Sequence, residues 1–193
     1  MLINENTIVK EPDDRLRVKC EPVNLPLSEE DRTTLNEMIQ YIRDSHDEEK
    51  QKSMNLRAAV GIAAPQIGVL KQMIAIGIPS DSEEKPDLEF ALVNPKIISN
   101  SQQKAYLRNG ESCLSVVPDR DGIVPRAARI TVSAYDMLQD ANIQIRLRNY
   151  PAVVFQHEID HLSGILYFDH INQDDPNLEE GSYPELEDAI IIG

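Results

Sequence analysis

One short stretch constrains this chain more than any other: His157-Glu158-Ile159-Asp160-His161, set within YPAVVFQHEIDHLSGILY. On an α-helix, residues four apart sit one above the other on the same face, so both imidazoles can meet one ion. Glu158, next to the first histidine, can then hold a carboxylate beside the same position. That is the physical content of H-E-x-x-H: two metal ligands and a general base. Pro151 suits the start of a helix, and the apolar run Ala152-Val153-Val154-Phe155 asks for burial. The competing reading is a core helix whose histidines are satisfied by ordinary hydrogen bonds. What separates the two lies upstream.

The 193 residues suffice for one domain with a real core, and 41% hydrophobic against 27% charged residues is a globular balance. No apolar run approaches the length of a membrane span. The opening stretch MLINENTIVKEPDDR lacks the basic-then-apolar pattern of a secretory signal. Two cysteines, Cys20 and Cys113, fit a reducing compartment better than a disulfide framework, so a cytoplasmic location is expected. A net charge of −14 argues against a general nucleic-acid binder, although Arg126 to Arg129 or Arg146 to Arg148 could form a local basic patch.

Residues 1–27 read as an extended arm, because Pro22 and Pro26 prevent a long helix. Ser28 followed by Glu29, Glu30 and Asp31 marks a helix start. Leu35, Met38, Ile39 and Ile42 continue it at helical spacing to an end near residues 44–47, with His46 expected on the surface. Ala58 to Gly68 is a run of small residues without the Gly-Lys-Ser/Thr ending of a phosphate loop. It serves either a close approach to a ligand or a tightly packed turn. Strands are predicted at 72–78, 90–98, 103–108, 129–135 and 142–148, with 79–89 an exposed hairpin insertion and 138–142 a turn. An acidic loop at 174–181 follows the histidine helix, and Ala189 to Ile192 read as a last strand. A strand-rich middle between two separated helices predicts an α+β fold in a single domain spanning residues 1–193.

A catalytic metal usually takes three protein ligands and keeps one open position. Three residues compete for the third place. Tyr167 stands where the long metzincin protease pattern has a histidine, and His170 falls three residues later, out of register. Cys113 lies in Asn109-Gly110-Glu111-Ser112-Cys113-Leu114-Ser115, at what reads as a strand end, and could bind as thiolate. Its alternative is a buried structural cysteine.

Three stretches taken together resemble the peptide deformylases, and they occur in that family's order. They are Ala59-Val60-Gly61-Ile62-Ala63-Ala64-Pro65-Gln66, Glu111-Ser112-Cys113-Leu114-Ser115 and Gln156-His157-Glu158-Ile159-Asp160-His161-Leu162. The family motifs read Gly-x-Gly-Leu-Ala-Ala-x-Gln, Glu-Gly-Cys-Leu-Ser and Gln-His-Glu-x-Asp-His-Leu. The arm around Pro12-Asp13-Asp14-Arg15-Leu16 also resembles the family, and the insertion with the apolar C-terminal end resembles its type 2 branch. Ala59 and Ile62 replace glycine and leucine. Ser112 replaces the glycine before the cysteine, which adds bulk beside the substrate pocket.

The resemblance implies mixed, mostly antiparallel sheets around a central helix that carries H-E-x-x-H. It implies a metal-dependent hydrolase that removes the N-terminal formyl group from formyl-methionine of nascent polypeptides and releases formate. Cys113, His157 and His161 would hold one divalent ion, Fe2+ in the cell with Zn2+ or Ni2+ as substitutes. Glu158 would be the general base, while Gln66 and the Leu114 N–H would stabilise the oxyanion. Substrate would lie as an added strand along Val60, Gly61 and Ile62, its methionine against Val153, Val154 and Glu111. Glu111 is expected to pair with Arg126, and Asp160 is a candidate partner for a metal-binding histidine. The implied partners are nascent chains and the ribosome near its exit tunnel, with no sequence-specific nucleic acid, no membrane, and a monomeric state. The rivals are a zinc metalloprotease and a catalytically inactive, ribosome-associated relative.

Overall fold

The computed structural model describes residues 2–80, 87–178 and 180–186. The first helix, α1 (Glu29–Ser45), starts where the Ser28 side chain accepts from the Asp31 N–H, with three acids in the first turn. A short helix α2 (Glu48–Met54) follows from an Asp47 cap and buries nothing. No apolar stripe announces α2, which is why periodicity gives no reason to expect it. The strands are β1 (Gly61–Ala63), β2 (Met73–Ile78), β3 (Leu88–Asn100), β4 (Lys104–Leu107), β5 (Arg126–Ala127), β6 (Arg129–Asp136), β7 (Ala141–Arg148) and β8 (Glu185–Leu186). The histidine helix, α3 (Tyr150–His161), lies between β7 and β8 in the chain.

The larger sheet has the order β1-β2-β3-β6-β7, with every neighbouring pair antiparallel. A smaller sheet, β5-β4-β8, includes one parallel pair. Alternation along β2 and β3 divides their side chains between two cores. Met73, Ala75, Ala91 and Val93 pack with Leu35, Met38, Ile39 and Ile42 of α1. Ile74, Ile76, Leu92 and Val132 pack with Ala152, Val154 and Phe155 of α3. The sheet is therefore a middle layer, with α1 on one face and α3 on the other. Each large aliphatic or aromatic side chain buried this way contributes roughly 1.5–3 kcal/mol, which fixes α3 firmly in place. Among the described residues, no helix is long and apolar enough to cross a membrane.

The predicted strands appear with their ends shifted by one or two residues, and the mixed, mainly antiparallel α+β arrangement is as expected. The N-terminal arm differs from its extended reading. Asp13 caps a 3-10 turn, Asp14–Arg17, which buries Leu16. That turn meets the end of the histidine helix at Gly164, whose φ is +73° and where a Cβ would lie 2.5 Å from the Arg17 carbonyl oxygen. His46, expected at the surface, is partly buried. Most of the expected 79–89 insertion and the expected strand from Ala189 to Ile192 lie outside the described residues.

Candidate active site

α3 sets His157 and His161 one turn apart, edge to face, with ring centroids 5.1 Å from each other. Cys113, on the loop after β4, reaches them from the side: its Sγ lies 3.3 Å from His161 Nε2. The candidate ligand atoms of Cys113, His157 and His161 all lie within 4.8 Å of one another. The other two competitors for the third place are turned elsewhere. The Tyr167 hydroxyl accepts from the Arg120 N–H at 2.6 Å while its ring stacks on His157. His170 Nε2 lies 2.7 Å from Asp160 Oδ2.

The donor set fits a divalent transition metal. Among the described residues, a thiol and two imidazoles are brought together without a fourth protein ligand, and Glu158 Oε2 beside them is buried with no partner. Burial by itself would push the Cys113 thiol up, but the charge on His161 and hydrogen bonds with both histidines pull it well below its ordinary value. Burial likewise opposes a charge on His157, yet hydrogen bonds to Cys113 and Glu111 hold its pKa well above the usual range. A thiolate balanced by imidazolium protons is a state that a cation can replace. Burial also pushes the Glu158 carboxyl up to about 7, against the pull of both histidines.

Behind the ligands runs a buried charge network. His157 Nδ1 lies 2.7 Å from Glu111 Oε2, which fixes the ring and leaves its Nε2 toward the ligand cluster. Arg126 donates from Nε and Nη2 to the two Glu111 oxygens at 2.8 and 3.0 Å, and from Nη1 to Asp160 at 2.5 Å. The Glu111–Arg126 pair expected from the sequence is thus present. Asp160, by contrast, pairs with Arg126 and His170 and has no bond to a ligand histidine. Arg126 is also removed from any basic surface patch, being 3% exposed. Burial would raise the Glu111 carboxyl, but Arg126 and His157 bring it down to about 2.

Breaking such a buried pair leaves an uncompensated charge and costs roughly 3–5 kcal/mol. Glu111→Arg and Arg126→Glu should each lower the unfolding midpoint sharply. The double reversal should regain part of that stability in thermal unfolding, yet no activity, because Glu111 no longer accepts from His157. A double variant as unstable as the two losses combined would contradict the pairing.

Gln66 sits in the 3-10 turn Ala64–Ile67, its Oε1 accepting from the Ala63 N–H at 2.8 Å. This aims Nε2 at Cys113 Sγ, 3.4 Å away, and at Ser115 Oγ, 3.3 Å away. A cleft of ≈ 130 Å³ opens onto the ligands, and Val60, Gly61, Glu111, Leu114, Val153 and Val154 line it. The sequence profile of the Polypeptide deformylase family matches residues 5–177.

The chain belongs to the polypeptide deformylase family.

Its similarity to named deformylases runs nearly end to end. Peptide deformylase of Oceanobacillus iheyensis is 48% identical over 184 residues, 95% of this chain and 99% of that one. Peptide deformylase 2 of Bacillus cereus is 46% identical over 175 residues, 91% of this chain and 94% of its own length. The Met-Ala-Ser-bound crystal structure of class I type b peptide deformylase from Acinetobacter baumannii superposes with a TM-score of 0.66 at 29% identity. It covers 89% of this chain and 100% of that one.

Within this deformylase cleft, β1 is an edge strand, paired on one side only among the described residues. The Val60 carbonyl already accepts from the Gly77 N–H at 2.9 Å, so by antiparallel alternation the main-chain groups of Gly61 face the free edge. Of the Val60-Gly61-Ile62 stretch expected to bind peptide, Gly61 therefore turns its main-chain groups to the unpaired edge, although it is buried like Ile62. Gly61 has a second duty, because a Cβ there would lie 2.5 Å from Glu158 Oε1. Gly61→Ala should displace the carboxylate and slow a deformylase by at least about tenfold, the order of effect of misplacing a reacting group. A rate within twofold of wild type would show that Glu158 has more room than this.

Ser112, which departs from the family motif, is exposed at the cleft rim. Arg57 and Tyr150 also line the cleft. No local pattern marks either one, and only the placement of Arg57 just before the small-residue run hints at it.

Proposed function

We propose that this chain, acting as one catalytic domain over residues 1–193, hydrolyses the N-terminal formyl group of formyl-methionine on nascent polypeptides and releases formate. The carrying observation is the cluster of Cys113, His157 and His161 with the buried Glu158 carboxylate beside it, in a chain of this family. Cys113, His157 and His161 would hold one divalent metal ion. When bound, such an ion supplies Lewis-acid polarisation and makes hydroxide accessible near neutral pH.

The chain's own residues do the rest. Glu158 takes a proton from the attacking water and returns it to the methionine nitrogen as the formyl C–N bond breaks. Gln66 Nε2 and the Leu114 N–H donate to the formyl oxygen as it becomes negative, each such donor lowering the barrier by roughly 3–4 kcal/mol. The peptide adds to the free edge of β1 through Gly61, with Val60 and Ile62 holding that edge in register. Its methionine side chain lies against Val153, Val154 and the Glu111 stem. The Acinetobacter deformylase with Met-Ala-Ser bound supports a cleft of this fold receiving a short methionine-led peptide.

Fe2+ is the proposed cellular ion, with Zn2+ or Ni2+ as substitutes, since a Cys-His-His set accommodates all three. A thiolate beside ferrous iron is open to oxidation. The iron form should lose activity in air faster than the nickel form, measured as residual formate release over time; equal decay would contradict iron-linked oxidation. The enzyme is further proposed to work in the cytoplasm as a monomer, near the ribosome exit tunnel, without sequence-specific nucleic-acid or membrane contacts. Matched peptides with and without the formyl group test the activity itself. The metal-loaded protein should alter the formylated peptide alone, and consumption of both would indicate a peptidase.

A further inference from the structure

We infer that Arg57 reads the substrate beyond its methionine and favours peptides with a carboxylate side chain on the second or third residue. The inference rests on the deformylase reading above and adds a selectivity to it.

Arg57 is anchored at its backbone, where the Tyr41 hydroxyl donates to its carbonyl at 2.9 Å. One end of the guanidinium is anchored too: Nη1 donates to the Cys113 carbonyl at 3.1 Å, which sets the group on the rim over the loop that carries the ligand cysteine. The other end is loosely held. Nη2 lies 3.3 Å from each Asp119 oxygen, and the two side chains are 33% and 44% exposed. Long, solvent-screened pairs of this kind contribute little and exchange readily. The contrast with Arg126, 3% exposed and bonded at 2.8 and 3.0 Å, shows what a purely structural arginine looks like in this molecule.

The position of Arg57 matches the path of a bound peptide. Gly61 abuts Glu158, and the rim runs from there through Val60, Ala59 and Ala58 to Arg57. Four residues span at most about 14 Å, so an extended peptide starting at Glu158 comes within reach of the guanidinium in its first few residues. In between, Ala58 and Ala59 raise nothing beyond a methyl group, and Val60 is partly buried. Among the described residues, Arg57 is the one cationic side chain besides histidine that lines the cleft. A substrate carboxylate can take the place of Asp119 on Nη2 while Nη1 stays on the Cys113 carbonyl, giving a charge-assisted bond on a half-fixed donor. The overall charge of −14 works the other way, since at long range it favours basic peptides. A preference for acidic side chains at one position is therefore a local signature of Arg57.

The test uses the full-length, metal-loaded protein and formate release from formyl-Met-Xaa-Ala-Ala and formyl-Met-Ala-Xaa-Ala, with Xaa as Glu, Gln or Lys. Wild type should favour Glu over Gln in kcat/KM by about three- to tenfold at one of the two positions, mainly through KM, and less so as salt is added. Arg57→Gln should abolish that ratio, Arg57→Glu should turn it toward Lys, and Asp119→Asn should enlarge it. Arg57→Gln slowing every peptide equally, with the Glu/Gln ratio intact, would mean that Arg57 merely supports the Cys113 loop and would overturn the inference. So would a wild type that ranks Glu and Gln alike at both positions. No formate from any peptide would instead strike down the deformylase reading on which the inference stands.

Discussion

Glu158→Ala is expected to lower kcat for formate release by roughly 100- to 10,000-fold, the range that general acid–base catalysis contributes, while metal content and unfolding midpoint stay near wild type. The carboxylate is 5% exposed, its Oε2 has no partner among the described residues, and Gly61 is kept bare to admit it. A side chain so placed contributes little to the fold, since its removal strands no hydrogen-bond donor at Oε2. The proton-transfer role proposed for it has no substitute nearby among the described residues: Glu111 is committed to Arg126 and His157, and Asp160 to Arg126 and His170. Glu158→Gln, which keeps the shape and removes the base, should lose activity to the same degree. Activity retained in Glu158→Gln would place the proton transfer on another group.

Cys113→Ser should abolish stoichiometric metal binding and, with it, formate release. The serine hydroxyl stays protonated near neutral pH and would be a poor partner for the ion that His157 and His161 would hold. Loss of an outer-shell partner typically costs 10–100-fold in metal affinity, so loss of an inner ligand should exceed about 100-fold. Metal analysis after dialysis reads this directly. A variant that keeps both metal and activity would return the third place to Tyr167 or His170, and the protease reading with it. The observed geometry opposes that outcome, because Tyr167 serves Arg120 through its hydroxyl and His157 through its ring face.

The parts of the molecule legible in the sequence are those set by strict geometry. His157 and His161 require a helix to act together, Ala152 to Phe155 require that helix to be inside, and α3 meets both requirements. Four strands of the large sheet, β2, β3, β6 and β7, were legible to within two residues, whereas the three-residue β1 (Gly61–Ala63) was not, because a run of small residues carries no apolar alternation. α2 was hidden because a helix with no buried residue carries no apolar period. The Asp14–Arg17 turn was hidden because one buried leucine, held by a local aspartate cap, leaves no repeating signal. Asp160 shows a different limit: nearness in sequence to His161 pointed to it as a partner, whereas its carboxylate turns to Arg126, 34 positions away. Arg57 was illegible for the same reason, since its importance comes from the Cys113 carbonyl, 56 positions along the chain.

The central claim is most directly tested by formate release from a formyl-methionyl tripeptide, using protein prepared without oxygen and loaded with iron or nickel. Glu158→Ala is assayed beside it, and the peptide products are checked for internal cleavage. Formate appearing in step with peptide consumed, every peptide bond intact, and both lost in the variant is the predicted result. Cleaved peptide bonds without formate would contradict it and make the site that of a protease.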